Sequence, residues 1–401
     1  MWDRKCGGAM ATKSSRYDAL DGLRGVAAIA VMMSHFTQEA FKNAYVAVDL
    51  FFMLSGFVIA HSYGTRLLGG MTAIEYIKRR VIRLYPMLLI SLLIGLPVLI
   101  QARVLGLSTY PMPSIISATI HNLFFTPYVG HLGNANMATA GAVAAADFTI
   151  GEIFPANPPA WSLFFEMVAS IAFVIIVRLS RSTMFKVIAI SGLMFLITGA
   201  LTSFESHGHS IVDFSQGWSG SRMDGGFYRV SFGFVVGVLL YNLKSSGVDL
   251  RIMEALKPVL RNSYGLYIVA LLMFLFPMSL RGVYPALVIF CVAPCLVMVG
   301  ANLSCTSTFE AKTAQFLGWL SYPVYLLHFP IGRAVFMLVG KPNEPATVPI
   351  VVACAVTLVS AIVLTRYVEE PVRAFLSKRL VRRPVTPVVT PSAMTADQKA
   401  G

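Results

Sequence analysis

Arg24 and His35 stand eleven residues apart in the run Asp21–Phe36, DGLRGVAAIAVMMSHF. On a helix that is about three turns with roughly 20° left over, so both side chains project from one face, separated by about 16 Å of rise. Asp21 falls three residues before Arg24 on the same side. A guanidinium at one end of an apolar helix and an imidazole near its middle are expensive in hydrocarbon unless they line an interior site. The chemistry such a face offers is anion binding at one end and proton transfer at the other.

Other polar residues fall into apolar surroundings at helical spacing. In KRRVIRLYP (78–86), Arg79 and Arg83 are i, i+4 and Arg80 and Arg83 are i, i+3, so three guanidinium groups converge. Such forks bind phosphate bidentately, although basic residues also anchor any helix at the inner membrane surface. PPAWSLFFEM places Ser162 and Glu166 on one face, with Trp161 expected at the outer interface. On the 1.5 Å rise, Glu166 entering from one side and His35 from the other reach similar depths. A carboxylate beside an imidazole would fix its tautomer and raise its basicity; the alternative for Glu166 is a structural ion or hydrogen-bond partner. In LGWLSYPVYLLHFP, Ser321, Tyr325 and His328 follow i, i+4, i+7 in one stripe, and His328 is as deep as His35. Pro323 in that stretch should kink the helix and free a carbonyl. In AVDLFFMLSGFVIAHSYG, Asp49 is expected near the outer surface, with Ser55 and Gly56 at mid-depth, where a small pair allows close helix packing. Glu369 or Glu370 of RYVEEPVRAFL is expected to pair with the arginine cluster in a structural role.

The elements that must position these residues follow from composition. Of 401 residues, 56% are hydrophobic and 13% charged, with mean hydropathy +0.70. A soluble domain of this size carries far more surface charge, so the chain is an all-α polytopic membrane protein. Ten runs are long enough to cross a bilayer: 22–41, 46–63, 85–103, 160–178, 185–203, 226–243, 263–280, 283–301, 316–338 and 346–365. They are long and unalternating, which favours helices around a central cavity over barrel strands. The net charge of +13 sits between these runs and in the tail, as membrane topology requires, which argues against nucleic acid as a partner.

Counting spans, the basic segments fall on one side, and the connection from Val104 to Pro159, with no Lys or Arg, falls on the other. Both termini are therefore expected in the cytoplasm, and the protein in the inner membrane. Residues 1–19 read as a cytoplasmic lead, 20–376 as the membrane domain and 377–401 as a disordered cytoplasmic tail rich in Pro, Thr and Val. The first run reads as a retained span, because its lead is long and polar, no small-residue cleavage site follows, and it carries Arg24 and His35. The apolar part of the long connection, Ile115 to Phe125, is too short to span and is expected to be re-entrant or interfacial. The five cysteines form no spaced framework and read as buried inert thiols; with no histidine near Cys291 and Cys295, no metal site is expected. His207 and His209 read as part of a solvated loop.

Six stretches in order, LDGLRGVAAIAVMMSHF, VDLFFMLSGFVI, RRVIRLYP, PAWSLFFEM, LSYPVYLLHFP and VEEPVR, spread over residues 20–373, resemble the acyltransferase-3 family of membrane acyltransferases. That group includes bacterial O-antigen and Nod-factor O-acetylases. The family's arginine, ten intervening residues, then histidine fall on Arg24 and His35. Its arginine cluster falls on Arg79, Arg80 and Arg83, and its W-S/T-L-x-x-x-E element on Trp161, Ser162 and Glu166. The resemblance implies ten spans and transfer of an acyl group, usually acetyl, from cytoplasmic acyl-coenzyme A to a sugar hydroxyl outside, a modification of envelope polysaccharide or another glycoconjugate. Some members carry a soluble hydrolase-like domain after the spans, and none is expected here.

On this reading His35 is the general base and Glu166 orients it. Arg24, Arg79, Arg80 and Arg83 meet the phosphates of coenzyme A, a co-substrate and not a resident cofactor. Asp21, Asp49, Ser55, Trp161, Ser162, Tyr325 and His328 line the cavity. A covalent acyl-enzyme through His35 or Ser162 is a variant of the scheme. The rival class is a proton-coupled transporter, which intramembrane His, Glu and Arg also suit. Two inverted halves with matching broken helices would favour it, and the sequence shows no such symmetry.

Overall fold

Each of the ten apolar runs is a helix. A computed structural model describes residues 17–37, 40–130, 151–207, 212–247, 262–276, 282–340 and 346–381. The lead through Arg16, the segment 131–150, the side chains of His207 and His209 and the tail from Pro384 lie outside what it describes.

The helices are α1 (Asp18–Thr37), α2 (Ala47–Leu68), α3 (Ala73–Val104), a short α4 (Met112–Leu123), α5 (Trp161–Ile176), α6 (Arg181–His207), α7 (Met223–Ser245), α8 (Ser263–Leu275), α9 (Val283–Asn302), α10 (Thr308–Val339) and α11 (Thr347–Leu380). Single π-turns interrupt α9 at Val288–Val292 and α11 at Thr365–Glu369. Among the described residues there is no strand, only one bridge between Glu152 and Ser219. Eight of the helices are long and apolar enough to cross a membrane. The other two of the ten runs fall short for simple reasons: α1 carries Asp18, Asp21 and Arg24 in its first two turns, and α8 has only 13 residues. The run at 115–125 is α4, which turns Ile115, Ala118 and Asn122 inward and leaves Ile116, Ile120 and Phe124 exposed.

Side-chain caps start three helices at one end of the bundle. Thr72 accepts from the Glu75 amide, Asn262 from Gly265 and Ser307 from Glu310, each an oxygen satisfying an orphan donor of a first turn. Glu310 does more than follow its cap. Its carboxylate accepts from the amides and hydroxyls of both Ser263 and Thr306, tying α10 to the start of α8.

Tight contacts then fix the centre. α1 is surrounded by α10, α8, α2, α9 and α11. A methyl added at Gly25 would lie 2.5 Å from the Leu317 carbonyl, so α1 and α10 touch backbone to backbone. The expected close packing at Gly56 is against α7, where a Cβ would meet the Phe234 carbonyl oxygen at 2.0 Å. We expect Gly56→Val to leave little folded protein in detergent, read as loss of the monodisperse peak on size exclusion, because backbone on both sides has no room to yield. α10 contains Pro330 as well as Pro323. Pro330 has no amide to offer the Leu326 carbonyl, and Asn157 takes its place at 2.9 Å while also donating to Ser91 of α3 at 2.8 Å. A non-helical stretch before α5 is thus held at depth by replacing the bonds a proline removed.

Trp161 is buried among the helices, where it roofs the guanidinium of Arg229 at 5.4 Å and meets Phe52 edge-on. The expectation of buried cysteines changes. Cys291 and Cys295 are exposed on α9 and Cys305 and Cys354 half-buried, because the residues of α9 that pack inward are Val288, Ile289, Ala293, Leu296 and Val297.

Candidate active site

The arginine fork of α3 opens into the bundle. Arg80 and Arg83 line an inner cavity of about 160 Å³ together with Arg24 of α1, Ser55 of α2, Ser162 and Glu166 of α5, and Ser321, Tyr322 and Tyr325 of α10. Arg79, Arg80, Arg83 and Arg373 line a second cavity of about 300 Å³, which shares Val58, Ile59, Arg80 and Arg83 with the first. The two form one vestibule lined, among the described residues, by five guanidinium groups and one carboxylate, that of Glu166. Its mouth lies at the end where α1, α3 and α10 begin.

Neighbouring acids hold these arginines in place without neutralising the vestibule. Arg79 pairs with Glu75 at 2.7 Å and Arg24 lies 3.8 Å from Asp21. Glu369, the carboxylate expected to meet the cluster, is fully buried and bridges Arg83 at 3.2 Å and Arg373 at 3.0 Å. Arg83 also lies over the Tyr322 ring, whose hydroxyl donates to the Leu84 carbonyl.

Glu166 does not orient His35. Its Oε1 accepts from Arg80 at 2.8 Å and from Ser55 at 2.9 Å, and Arg80 also donates to Ser170 one turn along α5. Depth along a helix fixes neither its rotation nor its neighbours: α5 packs on α2, α3 and α7, so its carboxylate turns toward the arginine fork.

His35 instead meets His328. The rings stack with centroids 5.0 Å apart, and His35 Nδ1 lies 2.9 Å from His328 Nε2. The other nitrogen of His328, Nδ1, faces the Val324 carbonyl at 3.0 Å. A carbonyl only accepts, so in the neutral ring Nδ1 carries the proton and Nε2 is an acceptor. His35 must then donate through Nδ1, which leaves its own Nε2 as a free lone pair. His328 is fully buried, whereas His35 keeps an exposed flank.

The vestibule and the histidine pair are adjacent but not merged. His35 and His328 do not line the inner cavity, nor do Asp21, Asp49 or Trp161. The cavity ends at Tyr325, whose ring centroid is 6.0 Å from that of His328 and 5.4 Å from that of Phe51. The Tyr325 hydroxyl is 2.7 Å from that of Ser162.

Asp49 has a partner that the spacing of residues did not reveal. Arg229 of α7 donates Nε to one carboxylate oxygen at 2.8 Å and Nη2 to the other at 2.7 Å. Its remaining donors reach the Gln216 and Tyr45 carbonyls, and both members of the pair are 1% exposed. A carboxylate alone in an apolar run was itself the signal that a buried cation had to exist elsewhere in the chain.

The profile of the acyltransferase domain family matches residues 17–366. "Protein 2 in picA locus" of Rhizobium radiobacter is 39% identical over 162 residues, covering 39% of this chain and 79% of that protein. No solved structure matches. With a match that runs through both the arginine vestibule and the histidine pair, the chain belongs to the acyltransferase-3 family, and its helices carry that family's chemistry in a membrane.

Proposed function

We propose that the protein moves an acyl group, acetyl in the first instance, from acyl-coenzyme A bound in the arginine vestibule to a hydroxyl of a carbohydrate or glycoconjugate. The observation that carries this is the convergence of Arg24, Arg80 and Arg83 on one cavity whose far wall, Tyr325, is one ring from the His35–His328 pair. A polyanionic carrier with a long thin arm suits that shape. Its phosphates meet the guanidinium groups, and the arm carries the thioester inward. The basic end then faces the cytoplasm, where acyl-coenzyme A is made, and the acceptor comes from the other end.

His35 Nε2 takes the proton of the acceptor hydroxyl as its oxygen attacks the thioester carbonyl. The carbon–sulfur bond breaks, and the proton passes from the imidazolium to the departing thiolate. The products are an O-acyl ester and free coenzyme A. For the thioester to reach the imidazole, the Tyr325 and Phe51 rings must move from the positions that close the cavity. His328 is a positioning residue that keeps the lone pair of His35 on Nε2.

Two outcomes check these assignments. His328→Phe is expected to lower kcat by about 10- to 100-fold at unchanged donor KM, because it frees the ring and its tautomer. His328→Gln, whose amide oxygen can accept from His35 Nδ1, should recover most of the rate; equal loss in both variants would make His328 a packing residue only. Arg83→Ala leaves Glu369 paired with Arg373, so the fold should tolerate it. Its donor KM should rise on the order of tenfold, with a shallower dependence on salt and little change in kcat, as expected for a charge-assisted phosphate contact. A donor KM unchanged in Arg83→Ala would remove the vestibule as the coenzyme site.

A further inference from the structure

At the end of the bundle away from the vestibule, a second polar group stands one ring from His35 and takes no part in the steps above. Arg333, half-buried on α10, holds its guanidinium carbon 4.8 Å from the centre of the Phe329 ring. That ring meets His35 edge-on, with centroids 5.5 Å apart. Among the described residues, the one hydrogen bond of Arg333 is a long one, 3.4 Å from Nη1 to the Pro155 carbonyl. Most of its five N–H donors therefore have no protein acceptor there.

Glu152 stands three residues before Pro155, whose carbonyl Arg333 reaches. Its Oε2 accepts from the buried Tyr110 phenol at 3.0 Å, and its other oxygen has no hydrogen bond among the described residues. Burial raises the Glu152 carboxyl above its ordinary range, and the Arg333 guanidinium and the Tyr110 phenol draw it back, so the carboxylate and the arginine feel each other. The backbone carrying Glu152 is fixed from two sides. The Ile153 amide donates to the Trp218 carbonyl at 3.1 Å, and Asn122 of α4 donates to the Ile153 carbonyl at 2.9 Å. Arg333 thus stands one ring from the proposed base with donors unused, and Glu152 keeps one carboxylate oxygen unused on a fixed backbone, an arrangement open to a ligand.

We infer that Arg333 and Glu152 grip the acceptor, and that they select an uncharged, hydroxyl-rich ring whose reacting hydroxyl is thereby set against His35. Sugar hydroxyls both donate and accept, so one ring satisfies the guanidinium and the carboxylate together. An anionic acceptor would bring its charge to Glu152, and a cationic one to Arg333. Tyr110 is a positioning residue for Glu152. The inference rests on the reading of His35 as the base, and the test separates the two.

Purified protein in detergent is supplied with acetyl-coenzyme A and a panel of methyl hexopyranosides, neutral, uronic and amino, with coenzyme A titration as the check that each variant is folded. The wild type is expected to acetylate at least one neutral glycoside. Arg333→Gln and Glu152→Gln should each raise its acceptor KM tenfold or more at unchanged donor KM, and Tyr110→Phe should raise it several-fold. Arg333→Lys and Glu152→Asp, which keep charge and shorten reach, serve wherever a first variant no longer binds coenzyme A. Wild-type acceptor KM in the Arg333 and Glu152 variants overturns the inference, as does a wild type that acetylates only charged glycosides or none. His35→Ala is run beside them. If it retains turnover the base reading falls, whereas loss of turnover there with unchanged acceptor KM in the other variants removes the grip alone.

Discussion

His35→Ala is expected to bind acyl-coenzyme A as the wild type does and to release thiol on the order of 10²- to 10⁴-fold more slowly in the presence of acceptor. The expectation follows from where the imidazole sits. His35 does not line the arginine-lined cavity proposed to hold the donor, so its loss takes away no wall of it. It does remove the nitrogen lone pair that the hydrogen-bond chain Val324 carbonyl, His328, His35 leaves on Nε2. Stopped assays that follow thiol release and acceptor acetylation together also separate the two schemes. A general base at His35 predicts loss of both, whereas an acyl-enzyme on Ser162 predicts a burst of thiol that survives the substitution. Ser162 is held by the Tyr325 hydroxyl and the Pro159 carbonyl, with no base in contact among the described residues, which is a poor setting for a nucleophile.

The largest effect on stability is expected at Arg229→Met. Removing one member of a fully buried, bidentate pair leaves Asp49 ionised without a partner, at a cost of about 3–5 kcal/mol. Four hydrogen bonds and the stacked Trp161 go with it, and these join α2, α7 and the turn at Tyr45. The measurement is the midpoint of thermal unfolding in detergent, compared with Asp49→Leu and with the double variant. A double variant more stable than either single one shows that the pair, and not the volume of either side chain, carries the effect. Additive losses would show the reverse.

Much of the fold was legible because hydrocarbon leaves so few options. Ten apolar runs gave ten helices, since no other open backbone satisfies itself in lipid. Within single helices the site was legible too: Arg80 and Arg83 do converge, Tyr325 and His328 do share a stripe, and Glu369 does meet the arginine cluster. What spacing does not encode is which helices are neighbours and how each is rotated. Glu166 and His35 were matched by depth, yet α5 turns its carboxylate to Arg80 while α1 gives His35 to α10. Arg229 escaped notice because its partner lies 180 residues away and its own run has no second polar residue at helical spacing. Arg333 and Glu152 escaped for the same reason, each being unremarkable until α10 and the segment before α5 are set side by side. Membership of the acyltransferase-3 family sets aside the transporter reading, and the ion pairs Asp49–Arg229 and Glu166–Arg80 account for intramembrane charges that had kept it open.

The central claim is that the donor enters through the arginine vestibule at one end of the bundle and reaches an imidazole that the acceptor approaches from the other. Proteoliposomes holding the protein in a single orientation, with methyl hexopyranosides on both faces, test it directly by the sidedness of acetyl-coenzyme A consumption. Acetyl-coenzyme A given to the arginine-lined face should be turned over, and the same concentration given only to the opposite face should not. Turnover from the opposite face, or from neither, would contradict the account.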